Sequence, residues 1–170
     1  MKVLVFGPSG AGKTYISRAL HKRGIHAFDD TDIPGLSSWY DRHGQKIAGP
    51  DSADEALDNG YAFLWSKRSL AKFLRPLSEV YVFGGSGNIF DMLDLFDRAY
   101  FLDIPPRLQI ERIQKAADRN RQMDISKEGI MIWGQWLREE AQRRQIPFLD
   151  ARLSPDQIYS IISGSLNAGI

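Results

Sequence analysis

The chain has 170 residues, a length that fits one domain, residues 1–170, with a hydrophobic core of its own. Hydrophobic residues make up 43%, charged residues 25%, and the net charge is +1, so the charge balance favours neither a nucleic-acid nor a membrane partner. The absence of cysteine excludes disulfides, thiolate metal sites and a cysteine nucleophile. The first residues lack the apolar segment of a signal peptide, and we expect a cytoplasmic protein.

Short apolar runs alternate along the chain with longer amphipathic stretches. Helical spacing predicts helices that include 52–74, with a break at Asn59-Gly60, and 127–144, whereas 34–50 and 116–127 are typical of loops. The alternation predicts an α/β fold with a mostly parallel sheet, whose ligands bind beyond the carboxyl ends of the strands. The apolar runs that predict its strands are 3–6, 25–28, 80–83, 99–103 and 148–149.

The first junction between a strand and a helix carries a phosphate-binding motif. Residues Gly7–Thr14 match the pattern G-x-x-x-x-G-K-[ST] without a gap. Its glycines turn backbone N–H groups inward around an anion, and the following helix presents its positive end to the same anion. We expect Lys13 to reach the β- and γ-phosphates of a nucleotide and the Thr14 hydroxyl to bind Mg²⁺. The predicted nucleotide contacts are Gly7, Ser9, Gly10, Ala11, Gly12, Lys13 and Thr14.

Acidic residues follow the second predicted strand. In an extended chain, Asp30 and Asp32 would point to the same side. One carboxylate would then hold Mg²⁺ through water while the other takes a proton from an attacking hydroxyl. The alternative is a solvated acidic turn, or Asp32 capping a short turn before Pro34. After the third strand, Gly84 and Gly85 would let a substrate approach the backbone, and Asn88 would orient the substrate or the metal. A plain turn is the alternative there.

Basic and aromatic side chains complete the candidate site. Arg119 and Arg121 extend a basic cluster into the predicted loop 116–127, where guanidinium groups would neutralise charge on a transferring phosphoryl group. A solvated basic face is the alternative. Trp39 lies in the region 34–75, where an aromatic ring would line an acceptor pocket, and simple packing is the alternative there.

Together these motifs resemble the small P-loop kinases of the shikimate, gluconate and adenylate kinase type, in the same order over nearly the whole chain. Phe28–Asp32 looks like the D-[ST]-D segment of shikimate kinases, which implies a metal role for Asp30 and a role toward the substrate hydroxyl for Asp32. The resemblance also implies a three-layer fold whose five-stranded parallel sheet has the order 2-3-1-4-5. Residues 34–75 then form the acceptor-binding region, and 116–127 form a lid loop.

The end of the chain adds a further similarity to these kinases. Asp150–Pro155 looks like the segment that contacts adenine, which implies nucleotide contacts for Arg152 and Pro155. The chain departs from shikimate kinases in the lid, which lacks the R-P-L run, and in the arginine pair that grips the shikimate carboxylate. The resemblance therefore implies a kinase and its nucleotide, but not shikimate as the acceptor.

We expect an ATP- and Mg²⁺-dependent kinase that phosphorylates a hydroxyl or phosphate of a small molecule, as a monomer or weak dimer. Its expected catalytic residues are Lys13, Arg119 and Arg121, with Asp32 as the base and Asp30 on the metal side. A nucleoside or nucleotide kinase is one alternative. An ATP-binding switch or ATPase that acts on a protein partner is an alternative of another class.

Overall fold

The structure is a computed structural model that describes residues 1–51, 53–119 and 127–164. Short 3₁₀ helices cover Asp30–Asp32 and Ile89–Leu95. Within the described ranges, the strands in chain order are β1 (Lys2–Phe6), β2 (Ala27–Asp29), β3 (Ser37–Tyr40), β4 (Lys46–Ile47), β5 (Ala62–Trp65), β6 (Val80–Gly84), β7 (Arg98–Asp103) and β8 (Phe148–Asp150). The α-helices are α1 (Lys13–His21), α2 (Ala53–Asn59), α3 (Lys67–Leu74), α4 (Pro106–Arg119), α5 (Lys127–Arg143) and α6 (Pro155–Ile162).

The large sheet consists of parallel strands in the order β2-β6-β1-β7-β8. Counted within this sheet alone, the order is second, third, first, fourth and fifth. The numbering differs from the prediction because β3, β4 and β5, which the sequence patterns do not predict, lie between β2 and β6 in the chain. The strands are parallel, so the carboxyl ends of β1, β2 and β6 meet at one edge and bring their loops together.

Helices cover both faces of this sheet, which accounts for the continuous apolar sequence of β1. Val3 and Val5 pack in one buried cluster with residues of α1 and α6. Leu4 and Phe6 point to the opposite face and pack in a second cluster with residues of α3 and α5. These layers form the predicted three-layer α/β fold. The second cluster also contains Trp65 of β5, so it joins the smaller sheet to the core.

A three-stranded antiparallel sheet, in the order β4-β3-β5, occupies the region between β2 and β6. Two predictions are wrong here. Residues 34–50 contain β3 and β4 in place of a loop, and the helix predicted over 52–74 is divided into α2, strand β5 and α3. The apolar run 62–65 is a strand because it pairs along its whole length with β3, a distant partner that no local pattern specifies.

The helix after β7 is longer than predicted. Helix α4 continues to Arg119, so the predicted start of a loop at 116 is wrong, whereas α5 begins at Lys127 as predicted. Arg121 and the rest of 120–126 lie outside the described residues. Of the helices in the described part of the chain, none has the length and apolar character that crossing a membrane requires.

Candidate active site

The phosphate-binding loop joins β1 to α1 at the carboxyl edge of the large sheet. Gly10 and Gly12 have φ angles of 84° and 97°, a left-handed conformation that suits glycine. A Cβ added at Gly7 would lie 2.7 Å from the carbonyl oxygen of Leu102, so β7 leaves no room for a side chain there. Among the described residues, no side chain caps the N-terminus of α1, which leaves its first N–H groups for an anion.

The Lys13 ammonium lies folded over this loop. Its Nζ donates hydrogen bonds to the carbonyl oxygens of Gly7 and Pro8, at 2.7 and 2.8 Å. Burial lowers the pKa of Lys13 to about 8, although the carboxylates of Asp30 and Asp29 act in the opposite direction. A nucleotide phosphate at the loop would pair with this partly desolvated charge.

Two carboxylates at the end of β2 lie close to Lys13. Asp29 is buried, and its Oδ1 accepts hydrogen bonds from the Thr31 N–H at 3.2 Å and the Thr31 hydroxyl at 2.6 Å. Burial raises the pKa of Asp29, but hydrogen bonds from Thr31 and Thr14 outweigh it and hold the pKa below its ordinary value.

The second carboxylate, Asp30, has the opposite shift. Its Oδ2 accepts a hydrogen bond from the Gly85 N–H at 3.2 Å. Burial, followed by repulsion from the Asp29 carboxylate, raises the pKa of Asp30 to about 6, although the Gly85 N–H and Lys13 oppose the change. The pair therefore consists of an ionised acid that binds two hydroxyl groups and a neighbour that titrates near neutrality.

The Asp32 carboxylate binds a different group from the Asp30 carboxylate. Residues Asp30–Asp32 form a 3₁₀ helix, so the extended conformation that would place Asp30 and Asp32 on one side is wrong. The Asp32 carboxylate accepts the Asp29 N–H at 3.3 Å and completes a capping box with the Asp29 side chain. Asp32 therefore stabilises its own turn, while Asp29 and Asp30 are the carboxylates beside Lys13.

Gly84 ends β6 at a point where two side chains converge. A Cβ at this position would lie 2.5 Å from Cζ2 of Trp65 and 2.6 Å from both Cβ and Oδ2 of Asp30. At Gly85, a Cβ would lie 3.2 Å from the ring of Trp133. The predicted glycines thus lie at the site, where they let the Trp65 ring and the Asp30 carboxylate approach the end of the strand.

The Asn88 side chain fastens β5 to the end of β6. Its Oδ1 accepts the Trp65 N–H at 2.9 Å, and its Nδ2 donates to the Trp65 carbonyl oxygen at 3.0 Å. The Ser86 hydroxyl also donates to this Oδ1, at 3.0 Å. These bonds give Asn88 a positioning role toward Trp65, and its orientation of a substrate stays a prediction.

Two side chains of α4 hold the phosphate-binding loop from outside. Gln109, which is 4% exposed, donates from Nε2 to the carbonyl oxygen of Ser9 at 3.0 Å. Arg112 donates from Nη1 to the carbonyl oxygens of Gly10 and Ala11, at 3.3 and 3.1 Å. With these carbonyls bound on the outside, the loop is held in a shape that aims N–H groups inward. Gln109 is absent from the sequence-based prediction, because spacing along one helix does not show what the helix packs against.

The remaining residues that the sequence predicts for the site lie on elements other than the phosphate-binding loop and the ends of β2 and β6. Arg152 follows β8, and both carboxylate oxygens of Asp150 bind its guanidinium at 2.6 to 3.0 Å. Pro155 is the first residue of α6, and Trp39 lies half-buried in β3. Arg119 is the last residue of α4.

The oxygen atoms beside the loop suit Mg²⁺. Across the described residues, no group of three or more histidine, cysteine or carboxylate side chains could hold a metal ion by itself. The Thr14 hydroxyl and the Asp29 carboxylate are hard oxygen donors, and the Thr14 hydroxyl is among the groups that lower the pKa of Asp29. Mg²⁺ commonly binds one or two carboxylates together with substrate phosphates and waters, so this set fits an ion that arrives with a nucleotide.

Comparison with known proteins gives structural matches alone: no family model and no curated protein matches the chain. A deoxyadenosine kinase from M. mycoides with bound dATP superposes with a TM-score of 0.58 and 17% identity, covering 99% of this chain and 100% of that chain. A shikimate kinase from Acinetobacter baumannii in complex with shikimate gives 0.55 and 15%, covering 98% and 94%. The deoxyadenosine kinase with bound dCTP gives 0.52 and 19%, covering 99% and 100%. The chain therefore has the fold of the P-loop kinases.

Proposed function

We propose that the protein is an ATP-dependent kinase that transfers the γ-phosphoryl group to a hydroxyl of a small-molecule acceptor. One observation carries the proposal: the phosphate-binding loop, the Lys13 ammonium and the carboxylates of Asp29 and Asp30 meet at one edge of the sheet. A cradle for phosphates beside a carboxylate that can take a proton is the minimum that transfer to a hydroxyl requires.

The nucleotide would lie along the loop and the start of α1. Backbone N–H groups from Gly10 to Thr14 surround the phosphates in this proposal, and Lys13 leaves its carbonyl partners to pair with the β- and γ-phosphates. Arg119 and Arg121 close over the transferring group, and Arg152 and Pro155 contact the adenine, as the resemblance implies.

Thr14 and Asp29 are the residues that would hold Mg²⁺, because both supply hard oxygen donors and the Thr14 hydroxyl is near enough to lower the pKa of Asp29. When bound there with ATP, the ion neutralises charge on the β- and γ-phosphates. The low pKa of Asp29 keeps this carboxylate ionised at neutral pH, which a metal ligand needs.

Asp30 would be the general base, in place of the predicted Asp32. In the transfer step, the acceptor hydroxyl oxygen forms a bond to the γ-phosphorus while the bond from that phosphorus to the ADP oxygen breaks. The proton of the acceptor hydroxyl passes to Asp30. A base works best when its pKa lies near the working pH, and the pKa of Asp30 at about 6 meets that condition.

The test is ADP production by the wild-type chain with Mg²⁺ against nucleosides, nucleoside monophosphates, neutral polyols, sugar acids and shikimate. The proposal predicts a rate that depends on one acceptor class and is lost in Lys13→Ala. ADP production that is the same without any acceptor would favour the alternative of an ATPase switch.

A nucleoside is the acceptor with specific support. Trp39 and Phe63 form an aromatic pair on the small sheet, with ring centroids 5.4 Å apart, and such rings can stack on a base. The deoxyadenosine kinase with which the chain shares its fold is a kinase of that class by its name.

A further inference from the structure

Two buried polar atoms of the small sheet, Ser37 Oγ and Trp65 Nε1, have no hydrogen-bond partner within the described part of the chain. The Trp65 side chain is 3% exposed. Leaving a buried donor unpaired destabilises the fold, and an unsatisfied polar group in a folded protein commonly marks the place of a ligand or an ordered water. These atoms therefore require a partner from outside the described residues.

The two atoms belong to one cross-strand pair. Ser37 of β3 lies directly opposite Trp65 of β5 in the antiparallel register. Side chains of an opposed pair share one face, with Cβ atoms about 4.5–5.5 Å apart. The ring edge of Trp65 and the carboxylate of Asp30 both lie against Gly84. The pair is thus a neighbour of the proposed base.

The same face of the sheet continues as an aromatic surface. Trp39 and Phe63 are the next opposed pair on this face, two residues further along each strand. Both are half-buried and their rings are in contact. The face therefore presents unpaired polar atoms near Asp30 and partly exposed rings further away.

The Trp65 main chain is fixed before any ligand arrives. Asn88 binds both its N–H and its carbonyl oxygen, and the missing side chain of Gly84 gives the indole its space. A donor held in this way loses little conformational entropy when it binds a ligand.

Charge and donor chemistry indicate which group this pair would bind. An indole N–H only donates, whereas the Ser37 hydroxyl donates or accepts. The Asp30 carboxylate beside the ring disfavours an anion, and a cation would leave the Trp65 N–H unpaired. An uncharged hydroxyl satisfies both atoms, because it can accept from Trp65 and donate to Ser37.

We propose that Ser37 and Trp65 bind an uncharged hydroxyl of the acceptor while Trp39 and Phe63 contact its ring. The acceptor is accordingly a neutral ring compound with a second hydroxyl besides the one that is phosphorylated, in preference to a sugar acid. This inference rests on the proposed function. Both polar atoms are shielded from bulk water, so the hydroxyl reaches them through a side-chain adjustment of the kind that is common on binding.

The test compares Ser37→Ala with Ser38→Ala, a matched control whose side chain points to the opposite face of β3. Initial rates are measured against nucleosides, neutral cyclic polyols and sugar acids, and unfolding is measured without ligand. We expect Ser37→Ala to raise the acceptor KM about 3- to 10-fold, the effect of one hydrogen bond, and to leave the ATP KM unchanged. Its free energy of unfolding stays equal or rises, because an unpaired polar atom has been removed.

Deoxy analogues of the acceptor complete a double-mutant cycle. Removal of the bound hydroxyl should raise the KM of the wild-type chain by a larger factor than Ser37→Ala does, because the bond from Trp65 is lost as well, and should raise the KM of that variant by a smaller factor than it raises the KM of the wild-type chain. Equal acceptor KM values in Ser37→Ala and Ser38→Ala would overturn the inference. So would a loss of unfolding free energy in Ser37→Ala with an unchanged KM, because the hydroxyl would then have a structural partner.

Failure of the proposed function gives a different result. A sugar acid as the best acceptor would overturn the inference and leave the kinase proposal standing. A wild-type chain that transfers phosphate to no acceptor, nucleoside monophosphates and shikimate included, while it hydrolyses or merely binds ATP, would overturn both.

Discussion

Asp30 and Lys13 are neighbouring groups whose pKa values are shifted toward each other, the acid to about 6 and the ammonium to about 8. Burial is the largest cause of both shifts, because it disfavours each charged form. Groups with shifts of this kind cluster at functional sites, where they hold protons near neutral pH. At the scale of single residues, the pair is the strongest indication of chemistry in the chain.

The pair predicts a bell-shaped pH profile for kcat/KM. Asp30 must be ionised to take a proton, so activity rises as pH increases through about 6. Lys13 must be charged to pair with phosphate, so activity falls as pH increases through about 8 in the free enzyme. Initial rates at subsaturating substrate across this range check the prediction. A flat profile between pH 5 and 9 would contradict the assigned roles.

Asp30→Asn should remove transfer and stabilise the fold. The raised pKa of Asp30 means that the folded state favours the neutral carboxyl group, so the ionised carboxylate lowers the free energy of unfolding at pH 7. We expect Asp30→Asn to raise the free energy of unfolding by on the order of 1 kcal/mol above pH 6. This increase fades toward pH 4, where folded Asp30 is already neutral. Unfolding curves at pH 7 and pH 4 measure it.

Asp32→Ala is the matched comparison for Asp30→Asn. It removes the carboxylate that accepts the Asp29 N–H in the capping box, so we expect a loss of about 1 kcal/mol in unfolding free energy and most of the transfer rate retained. The reverse pattern, with transfer lost in Asp32→Ala and kept in Asp30→Asn, would restore the original assignment of Asp32 as the base.

At the scale of elements, the end of β6 controls the geometry of the site. Gly84→Ala would place a Cβ 2.5 Å from the Trp65 ring and 2.6 Å from Asp30, which requires both side chains to move. We expect a loss of about 1–3 kcal/mol in unfolding free energy and a fall in transfer rate of at least tenfold. Gly85→Ala is the control, because its Cβ would meet the ring of Trp133 at 3.2 Å. Equal effects of the two variants would contradict this account.

Sequence patterns predict the elements whose structure depends on residues close to one another in the chain. The loop Gly7–Thr14 is predicted because its glycine spacing, preceding strand and following helix agree with one another. The prediction that Asp30 and Asp32 point to the same side depends on an extended chain, and it is wrong because Asp29 caps a 3₁₀ turn. Strand β5 is missed because its apolar run lies between two helices and becomes a strand only by pairing with β3.

The contacts between elements could not be predicted from the sequence. Gln109 lies far from the loop in the chain, and its role depends on how α4 packs against that loop. Asn88 was expected to orient a substrate, but its amide binds the main chain of a strand that the sequence patterns do not predict. Tertiary packing decides such roles, and a single sequence does not specify it.

At the scale of the whole molecule, each of the two sheets carries a different part of the proposed site. The parallel sheet places the phosphate loop and the carboxylates at one edge, and the antiparallel sheet presents an aromatic face beside them. Asn88 and the buried Trp65 join the two sheets. This arrangement lets the acceptor region differ between kinases while the phosphate site keeps its form.

The central claim is that the γ-phosphoryl group moves from ATP to a small acceptor. A single-turnover experiment with γ-labelled ATP, Mg²⁺ and the best acceptor of the panel tests it, with Lys13→Ala as the blank. We predict that the label leaves ATP only when the acceptor is present and is recovered in an acceptor phosphate ester. Recovery of the label as inorganic phosphate at a rate that no acceptor changes would contradict the claim.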